Sequence, residues 1–366
     1  MSRVLARLWS EQGQSPWLDN LQRGYLTSGA LADLIASGVR GLTSNPTIFQ
    51  RAIQGSDAYD AQFADAVARG LAPIEAYWEM VETDIRGALD LFAPLHRASG
   101  GTDGFVSVEV DPSLAHDGEG TFVAARELAA RIDRPNVMIK IPATREGLPA
   151  IRRLVAEGHH VNVTLIFGLE RHEEVMRAHM AGLEDRVAAG LPIEGIQSVA
   201  SFFISRVDNE IDGMLDSIGT PEALALRGTA AVSQAVLAYE SFLRHHSGPR
   251  WEALEASGAS VQRPLWASTS TKNPSYPDTK YVDSLIGPLT VNTLPDATLA
   301  AFVDHGTLAR TIDADLHGAR HRWAALASLG IDVSAVADKL EREGVASFRE
   351  SFTDLIEALA VKSATL

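Results

Sequence analysis

Five lysines stand against 27 arginines in this chain of 366 residues, so arginine carries most of the positive charge. One of the five, Lys140, lies in the apolar stretch Val137-Met138-Ile139-Lys140-Ile141. Arginine stays protonated inside proteins, whereas a buried lysine can lose its proton and act as a nucleophile. Successive side chains of a strand point to opposite faces. Val137, Ile139 and Ile141 therefore share one face, and Lys140 lies on the other with Met138. The same alternation sets Ser107, Glu109 and Asp111 opposite the valines at 106, 108 and 110, and Asn162 and Thr164 opposite Val161, Val163 and Leu165. Asp19 follows Trp17-Leu18, Asn45 precedes Pro46, and Ser201 and Phe203 share a strand face just before Arg206.

A neutral lysine amine attacks a ketone and forms a Schiff base. The iminium draws electrons from the adjacent carbon–carbon bond, so cleavage leaves an enamine instead of a free carbanion. This class I aldol chemistry needs no metal and no organic cofactor. A water-poor lumen disfavours the ammonium form, while nearby carboxylates favour it. Two proton-transfer groups are also required, one for the hydroxyl beside the breaking bond and one for carbinolamine dehydration. Asp19 and Glu109, read as lying on strands that flank the lysine strand, suit these roles. Local alternatives stay open. Glu109 can be a structural partner of Lys140, Asp19 a turn cap, Asn162 and Thr164 satisfied core groups, and Arg206 half of a surface ion pair. Asn45-Pro46 alone reads as an ordinary strand-ending turn.

The elements that must position these groups alternate between short strand signals and longer helical ones. Strands are expected at Ser15–Leu21, Gly41–Pro46, Gly104–Pro112, Asn136–Pro142, His160–Phe167, Ile196–Ser205, Pro264–Thr269 and Leu289–Leu294. Leu148–Glu157 reads as a helix capped by Gly158, Leu169–Val187 as an amphipathic helix, and Thr220-Pro221 as a helix start. Eight strands alternating with helices predict an α/β fold, a (β/α)8 TIM-type barrel whose chemistry sits at the C-terminal strand ends. An open doubly wound sheet is the alternative, but no dinucleotide glycine fingerprint follows the first strand. Residues 51–101 and 296–366 read as helical additions. The expected organisation is one domain over 1–366, with the barrel at about 15–295.

Composition narrows the partners. The chain has no cysteine, which excludes thiolate nucleophiles, thiolate zinc sites and disulfides and fits a reducing compartment. A net charge of −15 disfavours nucleic acid and anionic membranes. No membrane-length apolar run or signal-peptide pattern is evident, so a cytoplasmic protein is expected. The 11 histidines show no metal-ligand spacing, and no metal is expected. A homo-oligomer is compatible with the sequence.

The residues so far singled out fall in stretches that resemble transaldolases: WLDN at 17–20, GLTSNPTIF at 41–49, VSVEVDP at 106–112, NVMIKIPAT at 136–144, VNVTLIF at 161–167 and SVASFFISRVD at 198–208. LWASTSTKNP at 265–274 is similar to a longer bacterial subgroup, known also from fusions to phosphoglucose isomerase. The resemblance implies an α/β barrel with its Schiff-base lysine on the fourth strand, matching Lys140. It implies that Asp19 is the acid/base for carbon–carbon cleavage, and that Glu109 and Thr164 handle the water of Schiff-base formation and hydrolysis. Asn45, Asn162 and Ser201 are then hydrogen-bonding partners of the ketol, Phe203 shapes the pocket, and Arg206 binds phosphate. Ser268 matches the family, but the arginine expected just after the seventh strand is absent, leaving Lys272 to supply that charge as a point cation. The implied reaction converts sedoheptulose 7-phosphate and glyceraldehyde 3-phosphate to erythrose 4-phosphate and fructose 6-phosphate, in the non-oxidative pentose phosphate pathway. Rival readings are an aldolase that cleaves fructose 6-phosphate without an acceptor, and a non-catalytic sugar-phosphate-binding barrel.

Overall fold

The computed structural model describes residues 3–365. Eight strands close a barrel in sequence order: β1 (Gln14–Leu18), β2 (Gly41–Thr43), β3 (Phe105–Glu109), β4 (Val137–Pro142), β5 (Val161–Ile166), β6 (Ser198–Phe203), β7 (Gln262–Ala267) and β8 (Thr290–Leu294). Every neighbouring pair is parallel, including β1 with β8. The chain thus forms the (β/α)8 barrel, not the open sheet.

Several strands are shorter than the hydrophobic pattern predicts, because helix caps intervene. β2 stops at Thr43, and the Asn45 side chain accepts a 2.9 Å bond from the Ile48 amide. Asn45 thereby caps the helix Pro46–Gln54, with proline in the first turn, where its missing N–H costs no hydrogen bond. β1 likewise ends at Leu18, leaving Asp19 just beyond the rim. The helix start at Thr220-Pro221 yields only the short turn Pro221–Leu224. Gly158 does cap the helix Gly147–Glu157, at φ 92°.

One positional expectation is corrected. β4 pairs with β3 and β5, whereas β1 pairs with β2 and β8. Only Glu109 therefore flanks Lys140, directly opposite it in register, and Asp19 approaches from another sector of the barrel. Strand number, not apolar pattern, decides which walls meet across a closed sheet.

The N-terminal end of the lumen is plugged. Trp17 and Phe105 pack with ring centroids 6.5 Å apart. Buried Asp103 accepts from Arg40 Nε at 2.7 Å and Ser15 Oγ at 2.8 Å, and lies 3.4 Å from the guanidinium of Arg263 on β7. Asp103, itself fully buried, thus neutralises two arginines. Residues 51–101 are mainly helical, as expected, and include the long helix Pro73–Ala98.

The C-terminal region contains the helices Asp296–His305, Leu316–Ser328 and Val333–Ser363. The last crosses the C-terminal rim. Its Ser351 hydroxyl lies 2.8 Å from that of Thr47. Its Gly344 passes so close to β5 that an added Cβ would sit 2.9 Å from Leu165. Leu165 has φ 61° at a register shift between Val163 and Ile166, a bulge that ends the alternation immediately after Thr164. Among the described residues no helix is long and apolar enough to cross a membrane, and no group of histidines and carboxylates is placed to hold a metal ion.

Candidate active site

The site begins with adjacent register positions. Glu109, Lys140 and Asn162 stand side by side on β3, β4 and β5. Lys140 is 4% exposed and Glu109 6%, so both charges are largely removed from water. Lys140 Nζ lies 3.3 Å from Glu109 Oε2 and donates to the Ser44 carbonyl at 3.0 Å. Ser44 is itself fixed, its hydroxyl donating to the Ser107 carbonyl at 2.8 Å. The amine is therefore held against one carboxylate, by a backbone carbonyl of the turn that ends in Asn45.

The cavity above it measures about 330 Å³. Of the expected site residues, Asp19, Asn45, Lys140, Thr164, Ser201, Phe203, Arg206, Ser268 and Lys272 line it. Two do not. Glu109 lies behind the lysine. Asn162 is fully buried, donating to Ser107 Oγ at 3.0 Å and accepting from Ser201 Oγ at 2.7 Å. Asn162 thus braces Ser201 from the layer below, and its amide is already occupied.

Burial pushes the Glu109 carboxyl above its ordinary range; Lys140 draws it back, and Asp19 adds to the rise. Asp19 is likewise raised, first by burial, against the pull of Lys140 and of the Thr43 hydroxyl, which donates to it at 2.7 Å. Thr43 also meets Thr293 at 2.7 Å, so β2 and β8 jointly fix the Asp19 carboxylate. Thr164 Oγ1 is buried with no hydrogen-bond partner among the described residues, and Glu109 Oε2 has only its ion pair with Lys140. Each retains capacity for one water or substrate oxygen.

Three cations, Arg51, Arg206 and Lys272, line the same cavity. Arg206 is half-buried beside the Phe203 ring, its guanidinium carbon 5.4 Å from the centroid. Burial lowers its pKa. Lys272 is lowered by burial and then by the charges of Arg206 and Arg51, with Asp19 opposing. Lys272 Nζ donates to Ser270 Oγ at 2.7 Å. Its loop leaves β7 through Ser268, whose φ of 55° turns the chain over the cavity. Beyond it, Tyr276 donates to Asp212 at 2.6 Å, and Lys280 Nζ lies 3.1 Å from Asp208. Both aspartates belong to the helix Ser205–Ile218, which carries Arg206, so loop and arginine share one support.

Strand reasoning missed Thr43, Ser44, Arg51, Ser347 and Phe348 in or beside this cavity. Thr43 shares a strand face with Gly41 and was findable from alternation. Ser347 and Phe348 belong to the C-terminal helix and carry no local signal. A larger groove of about 1070 Å³ lies on the outer surface. Its Arg126 pairs with Glu157, its Arg134 with Asp90, and it contains no lysine, so amine chemistry is not built there.

A family model described as transaldolase/fructose-6-phosphate aldolase matches residues 16–359. The chain belongs to this family. A transaldolase of Frankia alni is 51% identical over 362 residues, covering 98% of this chain and 97% of its own length. Transaldolase 1 of Streptomyces avermitilis is 52% identical over 96% of this chain and 93% of its own. The Thermobifida fusca transaldolase is 50% identical, with 96% of both chains covered. The transaldolase-family match spans β1 through most of the C-terminal helix, so it includes every wall of the cavity.

Proposed function

We propose that the chain is a transaldolase with Lys140 as its Schiff-base lysine, transferring dihydroxyacetone from sedoheptulose 7-phosphate to glyceraldehyde 3-phosphate in the cytoplasmic non-oxidative pentose phosphate pathway. The observation that carries this reading is Lys140 Nζ at 3.3 Å from Glu109, in a cavity that Asp19 and the cations Arg206 and Lys272 also line.

Glu109, made more basic by burial, takes the proton that frees the amine. Lys140 Nζ attacks the ketone carbon, and the carbonyl oxygen gains a proton to give a carbinolamine. Loss of that hydroxyl as water, between Glu109 and Thr164, leaves the iminium. Asp19 removes the donor hydroxyl proton, the carbon–carbon bond breaks, and the electron pair enters the iminium as an enamine while the aldose leaves. The acceptor aldehyde then receives the enamine carbon, Asp19 returns its proton to the new hydroxyl, and water hydrolyses the Schiff base. Asn45 and Ser201 hold ketol hydroxyls, with Asn162 steadying Ser201. Phe203 walls the carbon chain. Arg206, Lys272 and Ser268 receive the phosphate.

Family membership alone leaves both transfer and acceptor-free aldol cleavage open. A coupled assay on fructose 6-phosphate with and without erythrose 4-phosphate separates them. Transfer predicts turnover only with the acceptor; rapid release of free dihydroxyacetone without it would assign the chain to the aldolases. Arg206→Ala and Lys272→Ala should each impair phosphorylated donors more than unphosphorylated ones.

A further inference from the structure

We propose that Arg51 is a specificity-determining residue that grips the substrate phosphate together with Arg206 and Lys272. This rests on the sugar-phosphate reading above. Arg51 sits on the helix Pro46–Gln54, which Asn45 caps. Thr47, Ile48 and Arg51 line the cavity, and their spacing of three and four residues puts them on one helix face. Most arginines of this acidic chain pair with a carboxylate. Among the described residues, the side chains of Arg51, Arg206 and Lys272 make no ion pair, and that of Arg51 makes no hydrogen bond. Three like charges converging with no carboxylate paired to any of them repel one another, and Asp19 and Glu343, neither of them in an ion pair with the three, oppose that repulsion. The arrangement is favourable when a dianion enters between them.

The three cations come from separate elements. Arg206 opens the helix after β6, and Lys272 lies on the loop after β7. Arg51 belongs to the helix after β2, so it supplies a guanidinium fork from another side of the anion. Lys272, on a loop and exposed like Arg51, is a point charge and cannot provide that two-pronged geometry. The helix also gives Arg51 a defined reach. It lies six positions after Asn45, a rise of roughly 9 Å. This is comparable with the distance from the ketol end to the phosphate of an extended hexose phosphate. One rigid helix therefore measures the substrate, with Asn45 at its ketol end and Arg51 at its phosphate end.

The test uses the full chain with Arg51→Ala and Arg51→Lys. Transfer to glyceraldehyde 3-phosphate is compared with transfer to glyceraldehyde, and inorganic phosphate binding is measured by calorimetry. A charged hydrogen bond at a partly open site predicts that Arg51→Ala lowers the kcat/KM ratio of phosphorylated to unphosphorylated acceptor by about tenfold, mainly through KM. Phosphate binding should weaken in parallel, and Arg51→Lys should recover part of both. An unchanged ratio, or unchanged phosphate binding in Arg51→Ala, would overturn the role. Phosphate binding requires no turnover, so this result stands apart from whether the chain transfers a ketol unit at all.

Discussion

At the residue scale, the two carboxylates do different work because different neighbours hold them. Glu109 faces the amine directly, whereas Asp19 is fixed by Thr43. Both are raised by burial and lowered by Lys140. Lys140→Met should therefore push both further up, which carboxyl titration by infrared difference spectroscopy would read. Thr43→Val removes the hydrogen bond that favours the ionised Asp19. The acid limb of kcat should then move to higher pH in that variant while the parent's base limb stays in place. Glu109→Gln retains size but loses the proton acceptor, and should slow Schiff-base formation on the order of a hundredfold or more in single-turnover trapping. Loss of carbon–carbon cleavage with Schiff-base formation intact would instead exchange the assigned roles of Glu109 and Asp19.

At the element scale, the barrel depends on close approaches that only certain residues permit. A Cβ on Gly41 would lie 2.5 Å from the Trp17 indole, a rigid ring already packed against Phe105. Gly41→Ala should cost about 1–3 kcal/mol in urea denaturation, as expected for overpacking. Asp208 accepts from Lys280 Nζ at 3.1 Å, Tyr281 Oη at 2.7 Å and the Ala231 amide at 2.7 Å. Asp208→Ala leaves Lys280 without its carboxylate and should cost about 3–5 kcal/mol. It should also raise KM for phosphorylated substrates, because the same tether steadies the Lys272 loop. Much of this architecture was legible in advance: period-two alternation placed Lys140, Thr164 and Ser201 on the lumen, and eight apolar stretches gave eight strands. The angular position of Asp19 was not legible, since alternation assigns a face but not which strands oppose one another across a closed sheet. Asn162 shows a related limit. Its face was correctly read, but its depth below the cavity depends on barrel stagger. Arg51 was hidden because a helix arginine in a charged chain looks like any solvated residue until the fold brings it over the rim.

At the scale of the whole molecule, the helix Val333–Ser363 joins the end of the chain to the cavity through Ser347 and Phe348. Nothing near those residues in sequence marks them, because their role is created by a contact with elements some 300 positions earlier, as between Thr47 and Ser351. The molecule also stores a pH dependence away from the site. His172 and His179 are fully buried without hydrogen-bond partners among the described residues, and burial lowers each to about 3. A histidine held neutral in the folded state binds its proton more readily when unfolded. Its contribution is therefore complete above the unfolded value near pH 6.5 and is lost progressively as pH falls towards 3. Each approaches a slope of about 1.4 kcal/mol per pH unit in that window. Asp19 and Glu109 have the opposite sign, because protonation relieves their burial. The urea midpoint should fall from pH 7.5 to pH 5, and His172→Phe with His179→Leu should flatten that fall. An unchanged slope in the double variant would place the titrating groups elsewhere.

The most direct measurement is borohydride trapping of the full chain with fructose 6-phosphate, followed by peptide mass spectrometry. The Schiff-base assignment predicts a reduced adduct on Lys140 and none in Lys140→Ala. An active enzyme with no adduct, or with the adduct on Lys272 or Lys280, would contradict it.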